Sequence, residues 1–258
     1  MVFYQAGSFS LMLFSFVVAV LLFYFFLYFS KNKLSALCFS YVNMAWLGFP
    51  FAIALFGTKI SPAMVALYIG GSIFGNLWAV TAVSQTSLAF SFIFKKVLCA
   101  PPVIALILAL IFRSVGVQHW SQHDLIDVIY SAAKFGMSFS GMCVLGMWLR
   151  HTKVEKADLW QSSQTALLKL ACGVVLCGLS YRYLAIPNIE QYIGVMFLLF
   201  CLPPAANIVA LETHYQGTGM SAKYIASGTI ISCVVVSIYG LLLHAFAVIQ
   251  ALTLARNA

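Results

Sequence analysis

The chain has 258 residues, 63% of them hydrophobic and only 8% charged, too few charges to solvate the surface of an ordinary soluble domain. Its formal net charge of +8 would suit a nucleic-acid partner, but the basic residues sit between apolar runs and so report orientation across a bilayer instead. Composition therefore predicts a polytopic membrane protein whose partner is lipid and not nucleic acid.

A spanning helix needs about 20 apolar residues. Eight runs approach that length, at roughly 9–29, 36–57, 61–83, 97–113, 123–149, 160–184, 188–210 and 224–252, here spans A to H. Leu11 to Tyr28 shows no alternation of the barrel type, so the expected fold is all-α with eight transmembrane helices. Span A lacks preceding Lys or Arg and exceeds a signal-peptide core, and it reads as a retained helix. One set of loops carries Lys31, Lys33, Lys95, Lys96, Arg150, Lys153, Lys156 and Lys223, the other only Lys59, Arg113, Arg182 and Arg256. The richer side is read as cytoplasmic, which places both termini outside a plasma membrane of the bacterial inner-membrane type.

Span B contains Asn43-Met44-Ala45-Trp46-Leu47-Gly48-Phe49-Pro50, and span G contains Pro203-Pro204-Ala205-Ala206-Asn207. Proline removes a backbone donor and glycine loosens a turn, so both spans are expected to break near mid-depth, where freed backbone groups survive only against other protein or a cavity. Paired breaks point to a transporter's binding site. Since B and G run in opposite directions, the breaks are expected to be related by an inverted repeat: residues 1–90 form a partial first half of three helices and 91–258 a second half of five, joined near Gln85 to Lys96.

Asn43 to Pro50 with the downstream Gly57, then Leu202 to Asn207, Tyr215 and Gly228-Thr229-Ile230-Ile231-Ser232, resemble the auxin efflux carrier family, which includes bacterial malonate-type carriers and plant auxin exporters. The resemblance covers the whole chain, is strongest in spans B, G and H, and implies ten helices in two inverted repeats with the substrate where the fourth and ninth cross. By that analogy A to H correspond to the third through tenth, and the first two are missing. In this fold those belong to the scaffold against which the transport domain moves and through which subunits pair as homodimers, so the chain alone is expected to transport poorly. Span H lacks the usual proline after Thr229-x-x-Ser232, and span E has Lys134-Phe135-Gly136 where an uncharged turn is commoner.

The chemistry can also be argued from the residues. A broken helix offers free amides at the start of its second half, a partial positive charge that favours an anion. Asn43 and Asn207 add donors, with Gly48, Pro50, Pro203 and Pro204 shaping the breaks; the competing role of each Asn is to satisfy its own helix. Lys134 lies about 16 Å into span E by helical rise and is a candidate counter-charge, the alternatives being a water-filled vestibule or snorkelling toward Asp127. Lys169 is read as snorkelling from an inner helix end. Glu212 and His214 follow the G break as a gate or a solvated end. Ser72 and Asn76 are supporting candidates, and Gly71 and Gly75 read as helix-packing residues.

The deep parts of the spans carry no carboxylate of the kind that sodium or proton coupling uses, so voltage-aided export of a monoanion is expected. His119 and His123, near Asp124 and Asp127, form a weak metal pair, and the seven cysteines lack metal or redox spacing. The reading requires no cofactor. Ser138, in Gly136-Met137-Ser138-Phe139, with His244 only superficially resembles a protease pair. The expected function is a carrier of small organic anions and not an enzyme, with a truncated or non-transporting membrane subunit as the competing reading and an intramembrane protease behind it.

Overall fold

Span A folds as one uninterrupted helix, α1 (Ser8–Ser30), with Leu11, Phe14, Val18 and Leu22 buried and Phe9, Leu13, Val17 and Leu21 exposed. A helix apolar on every side belongs in a hydrocarbon surrounding. The computed structural model describes residues 7–83, 99, 101–114, 152–184, 186–216 and 220–257, with 128, 129, 131–133, 135, 136, 139, 140, 143, 146, 147 and 150 between them. Among these, helix dominates and no β-strand occurs.

Four helices are long and apolar enough to cross a membrane by length and composition: Ser8–Ser30, Thr58–Ala79, Lys156–Tyr183 and Met220–Phe246. Their outward-facing Val234, Ile238, Leu241, Leu167 and Val174 are exposed, and these faces need a membrane to cover them. The chain thus has the character of a multi-helix membrane-embedded protein. Of the eight expected spans, C is α4 (Ser61–Val83), F is α6 (Lys156–Tyr183) and H is α9, which runs to Met220–Asn257. Span D is represented by α5 (Pro101–Ser114), and the described residues of span E are helical.

Spans G and B are both divided, and the break in B, over Tyr41 to Gly48, overlaps the expected Asn43 to Pro50 stretch. Its first piece is α2 (Lys33–Ser40), where the Asn32 side chain accepts from the Ser35 amide at 3.1 Å as an N-cap. The backbone is extended at Tyr41, passes a single wide turn at Met44–Gly48, and resumes as α3 (Phe49–Phe56). In the wide turn the Gly48 amide reaches the Asn43 carbonyl at 3.0 Å, a π-type bond of the sort common at functional sites. Pro50 lies in the first turn of α3, where a missing N–H costs nothing, so it starts the outer half and does not itself make the break. Gly57, at φ 77°, closes α3 in a left-handed conformation that favours glycine.

Span G is α7 (Ile189–Cys201), an extended link over Leu202 to Ala206, and α8 (Asn207–Gln216). Leu202 is extended as the residue before a proline tends to be. Around the two links pack α1, α4, α6 and α9. Gly70 lets α4 approach so closely that an added Cβ would strike the Met12 carbonyl of α1. One apolar core joins α1, α3, α4 and α7 through Phe14, Met64, Leu67, Met196 and Phe200. A second joins α1, α2, α4 and α8 through Phe23, Leu37, Phe74 and Ile208.

Candidate functional site

The two extended links cross and hydrogen-bond to each other. The Asn43 amide donates to the Pro203 carbonyl and the Ala205 amide to the Tyr41 carbonyl, each at 2.9 Å, so Val42 and Pro204 face one another as a short antiparallel bridge. Backbone freed from two helices is thereby paired without water, which lipid surroundings demand.

Three successive carbonyls at the end of α7 show how complete this pairing is. Cys201 accepts from the Ser232 hydroxyl of α9, Leu202 from the Lys169 ammonium of α6 at 2.9 Å, and Pro203 from Asn43. Each left bare in a dry interior would cost several kcal/mol on the scale of about 2–7 kcal/mol per unpaired polar group. Lys169 is 4% exposed and therefore does not snorkel, contrary to the expectation. Its helix begins at Lys156 and not near 160, which puts Lys169 at mid-length and aims it at the negative end of α7.

Asn43 is also 4% exposed. Its Oδ1 accepts from the Trp46 amide at 3.2 Å, capping the second half of span B, while its Nδ2 is buried with no hydrogen-bond partner among the described residues. Within one side chain the oxygen thus serves the helix and the amide nitrogen does not. A cavity of about 130 Å³ opens beside it, lined by Tyr41, Asn43, Trp46, Ser72, Ala206 and Asn207 among others. The wide turn that leads into α3 and Asn207, the first residue of α8, border this cavity, so the positive end of α8 lies beside it.

Asn207 is exposed, and its Nδ2 donates to the Tyr41 hydroxyl at 3.2 Å. Gly48 sits where a Cβ would come within 2.9 Å of Leu202, so it lets the two spans meet. Pro203 and Pro204 occupy the link itself, and the ring of Pro204 packs where a Cβ on Gly228 would be 2.9 Å away. Of the supporting candidates, Ser72 lines the cavity whereas Asn76 donates to the Ser72 carbonyl at 2.8 Å on its own helix.

No family model, curated protein or solved structure matches the chain. The likeness to auxin efflux carriers rests on the residues quoted above.

Glu212 is not a solvated end. It is wholly buried, accepts from the Met220 and Ser221 amides at 2.8 Å each and from the Ser221 hydroxyl, and so anchors the start of α9. Lys134, His119, His123, Asp124, Asp127 and Ser138 lie outside the described residues, as does the 85–96 junction, and the side chain of His214 does too. His244 is described and exposed on α9. No group of three or more metal-binding side chains occurs among the described residues.

Sequence reasoning missed Tyr41, whose carbonyl and hydroxyl both serve the crossing. It expected packing at Gly71 and Gly75, and that packing serves the crossing itself: a Cβ at Gly71 would meet Met44, and one at Gly75 would strike the Tyr41 ring. Gly75→Ala is expected to push that ring off the crossing, costing about 1–3 kcal/mol as overpacking does. Thermal unfolding in detergent checks it; an unchanged midpoint would show that the ring is not held there.

Proposed function

We propose that this chain is a carrier of small organic anions and not an enzyme, holding its substrate where the two divided spans cross and exporting it by alternating access, in an elevator or rocking motion. The observation that carries this reading is the Nδ2 of Asn43, a buried donor without a partner among the described residues, on a side chain that borders a cavity reached also by Asn207 at the start of α8. A buried donor without an acceptor is costly unless a ligand supplies one. The opposed directions of the two divided spans support an inverted repeat of the kind resembled, with eight spans, a plasma-membrane location and outside termini as parts of the same proposal. Lys134 belongs to it as a further counter-charge.

Purified protein in proteoliposomes, screened with radiolabelled small carboxylates, tests the reading. Uptake or counterflow of at least one, lost in Asn43→Ala, is the expected result. Correctly inserted protein that moves none of them, alone or beside a coexpressed copy, would leave the non-transporting subunit in its place.

No ion coupling is built into this proposal, so a monoanion should follow the membrane potential. With a potassium diffusion potential, accumulation on the positive side is expected to rise about fiftyfold per 100 mV, the equivalent of about 2.3 kcal/mol. Flux that ignores potential but requires sodium would refute uncoupled export.

A further inference from the structure

A second cavity of about 290 Å³ borders the same crossing from the α6 and α9 side, and Lys169 lies in its wall. We propose that this chamber is a separate binding site for a small monocarboxylate, with the Lys169 ammonium as its ion-pairing group. The inference rests on the carrier reading only for its biological purpose; the site itself stands on its own observations.

The Lys169 side chain is buried, and among the described residues no carboxylate lies within ion-pair distance of it. One of its three N–H groups goes to the Leu202 carbonyl at 2.9 Å and the ammonium lies 6.0 Å from the centre of the Phe39 ring, a weaker contact that an anion's hydrogen bond can replace. No Asp or Glu lines the chamber, and the buried carboxylate of Glu212 is committed to the start of α9. A buried cation without a counter-ion is costly, and an entering anion removes that cost.

The other lining groups set the ligand's class. The Ser232 and Thr165 hydroxyls donate to the Cys201 and Gln161 carbonyls, which leaves their oxygens as acceptors for a ligand hydroxyl. Lys169 is the single charged residue of the lining, so one negative charge is matched and a second would be buried unpaired. The volume admits roughly ten water-sized groups at about 30 Å³ each. Those features select a hydroxy or simple monocarboxylate over a dicarboxylate. The chamber is distinct from the Asn43 cavity: the two share no lining residue, and the paired links stand between them.

Cys38 lines the chamber but is buried, so the reporter is placed at Ser35, which also lines it and is partly exposed. In a variant lacking all seven cysteines and carrying Ser35→Cys, modification at position 35 by an anionic methanethiosulfonate should be slowed about tenfold or more by lactate, and much less by malonate, as a lost ion pair of tenfold worth implies. Lys169→Met should abolish the protection and Lys169→Arg should keep it. Asn43→Ala should lose flux and keep protection at position 35, which separates failure of the carrier reading from failure of this one. If Lys169→Met does not fold, the wild-type comparison of lactate with malonate still decides. Equal protection by both acids, protection that survives Lys169→Met, or protection by phosphatidylglycerol in nanodiscs but not by lactate would overturn the assignment.

Discussion

Asn43→Ala is expected to weaken substrate binding about ten- to more than a hundredfold, since a hydrogen bond to a charged group is worth about 1.5–3 kcal/mol. The substitution also removes the Oδ1 cap on Trp46, which costs stability by about 1 kcal/mol. Counterflow in proteoliposomes measures the first effect and thermal unfolding the second. Asn43→Asp pulls them apart. An aspartate caps a helix as well as an asparagine does, so stability should be kept, while the donor is replaced by a negative charge facing an anion. Affinity retained in Asn43→Asp would mean that Nδ2 faces no substrate.

Glu212→Ala should lower the unfolding midpoint by several degrees, at about 2–4 °C per kcal/mol for a chain of this size. Two amides and a hydroxyl lose their acceptor at once, and each charge-assisted bond contributes about 1.5–3 kcal/mol. The loss also takes a carboxylate from the positive end of α9, the longest helix described. Glu212→Gln keeps an acceptor and should fall between. If both variants unfold at the wild-type temperature, α9 is positioned by its apolar contacts alone.

The divided spans were legible because their breakers are backbone features, and a proline or a glycine acts wherever it lies. Pro203-Pro204 identifies the link in span G directly. In span B the stretch from Asn43 to Gly48 marks the break, whereas Pro50, tolerated in the first turn of α3, does not itself make it, and Tyr41 and Val42 just upstream carry no breaker. Asn43 could be named from its position, but the division of labour between its oxygen and its nitrogen depends on where Trp46 lies in the wide turn. Lys169 and Glu212 were misread for one reason. Each was placed by its distance from a helix end, and a charged side chain's fate depends on what stands opposite it, here the Leu202 carbonyl and the α9 amides. The Leu202 carbonyl is 33 residues from Lys169, and the α9 amides, though only eight and nine residues from Glu212, meet it because the chain turns back there, which no residue pattern announces.

The carbonyls of Cys201, Leu202 and Pro203 draw their donors from α9, α6 and the link that follows α2. No one of those elements can withdraw without stranding a carbonyl, so opening at this point is all-or-none. The Asn43 and Ala205 amides should then behave as a single cooperative unit in hydrogen exchange, among the slowest of the chain and released together. In the proposed alternating-access cycle this knot stays tied, with the flexing borne at its margins.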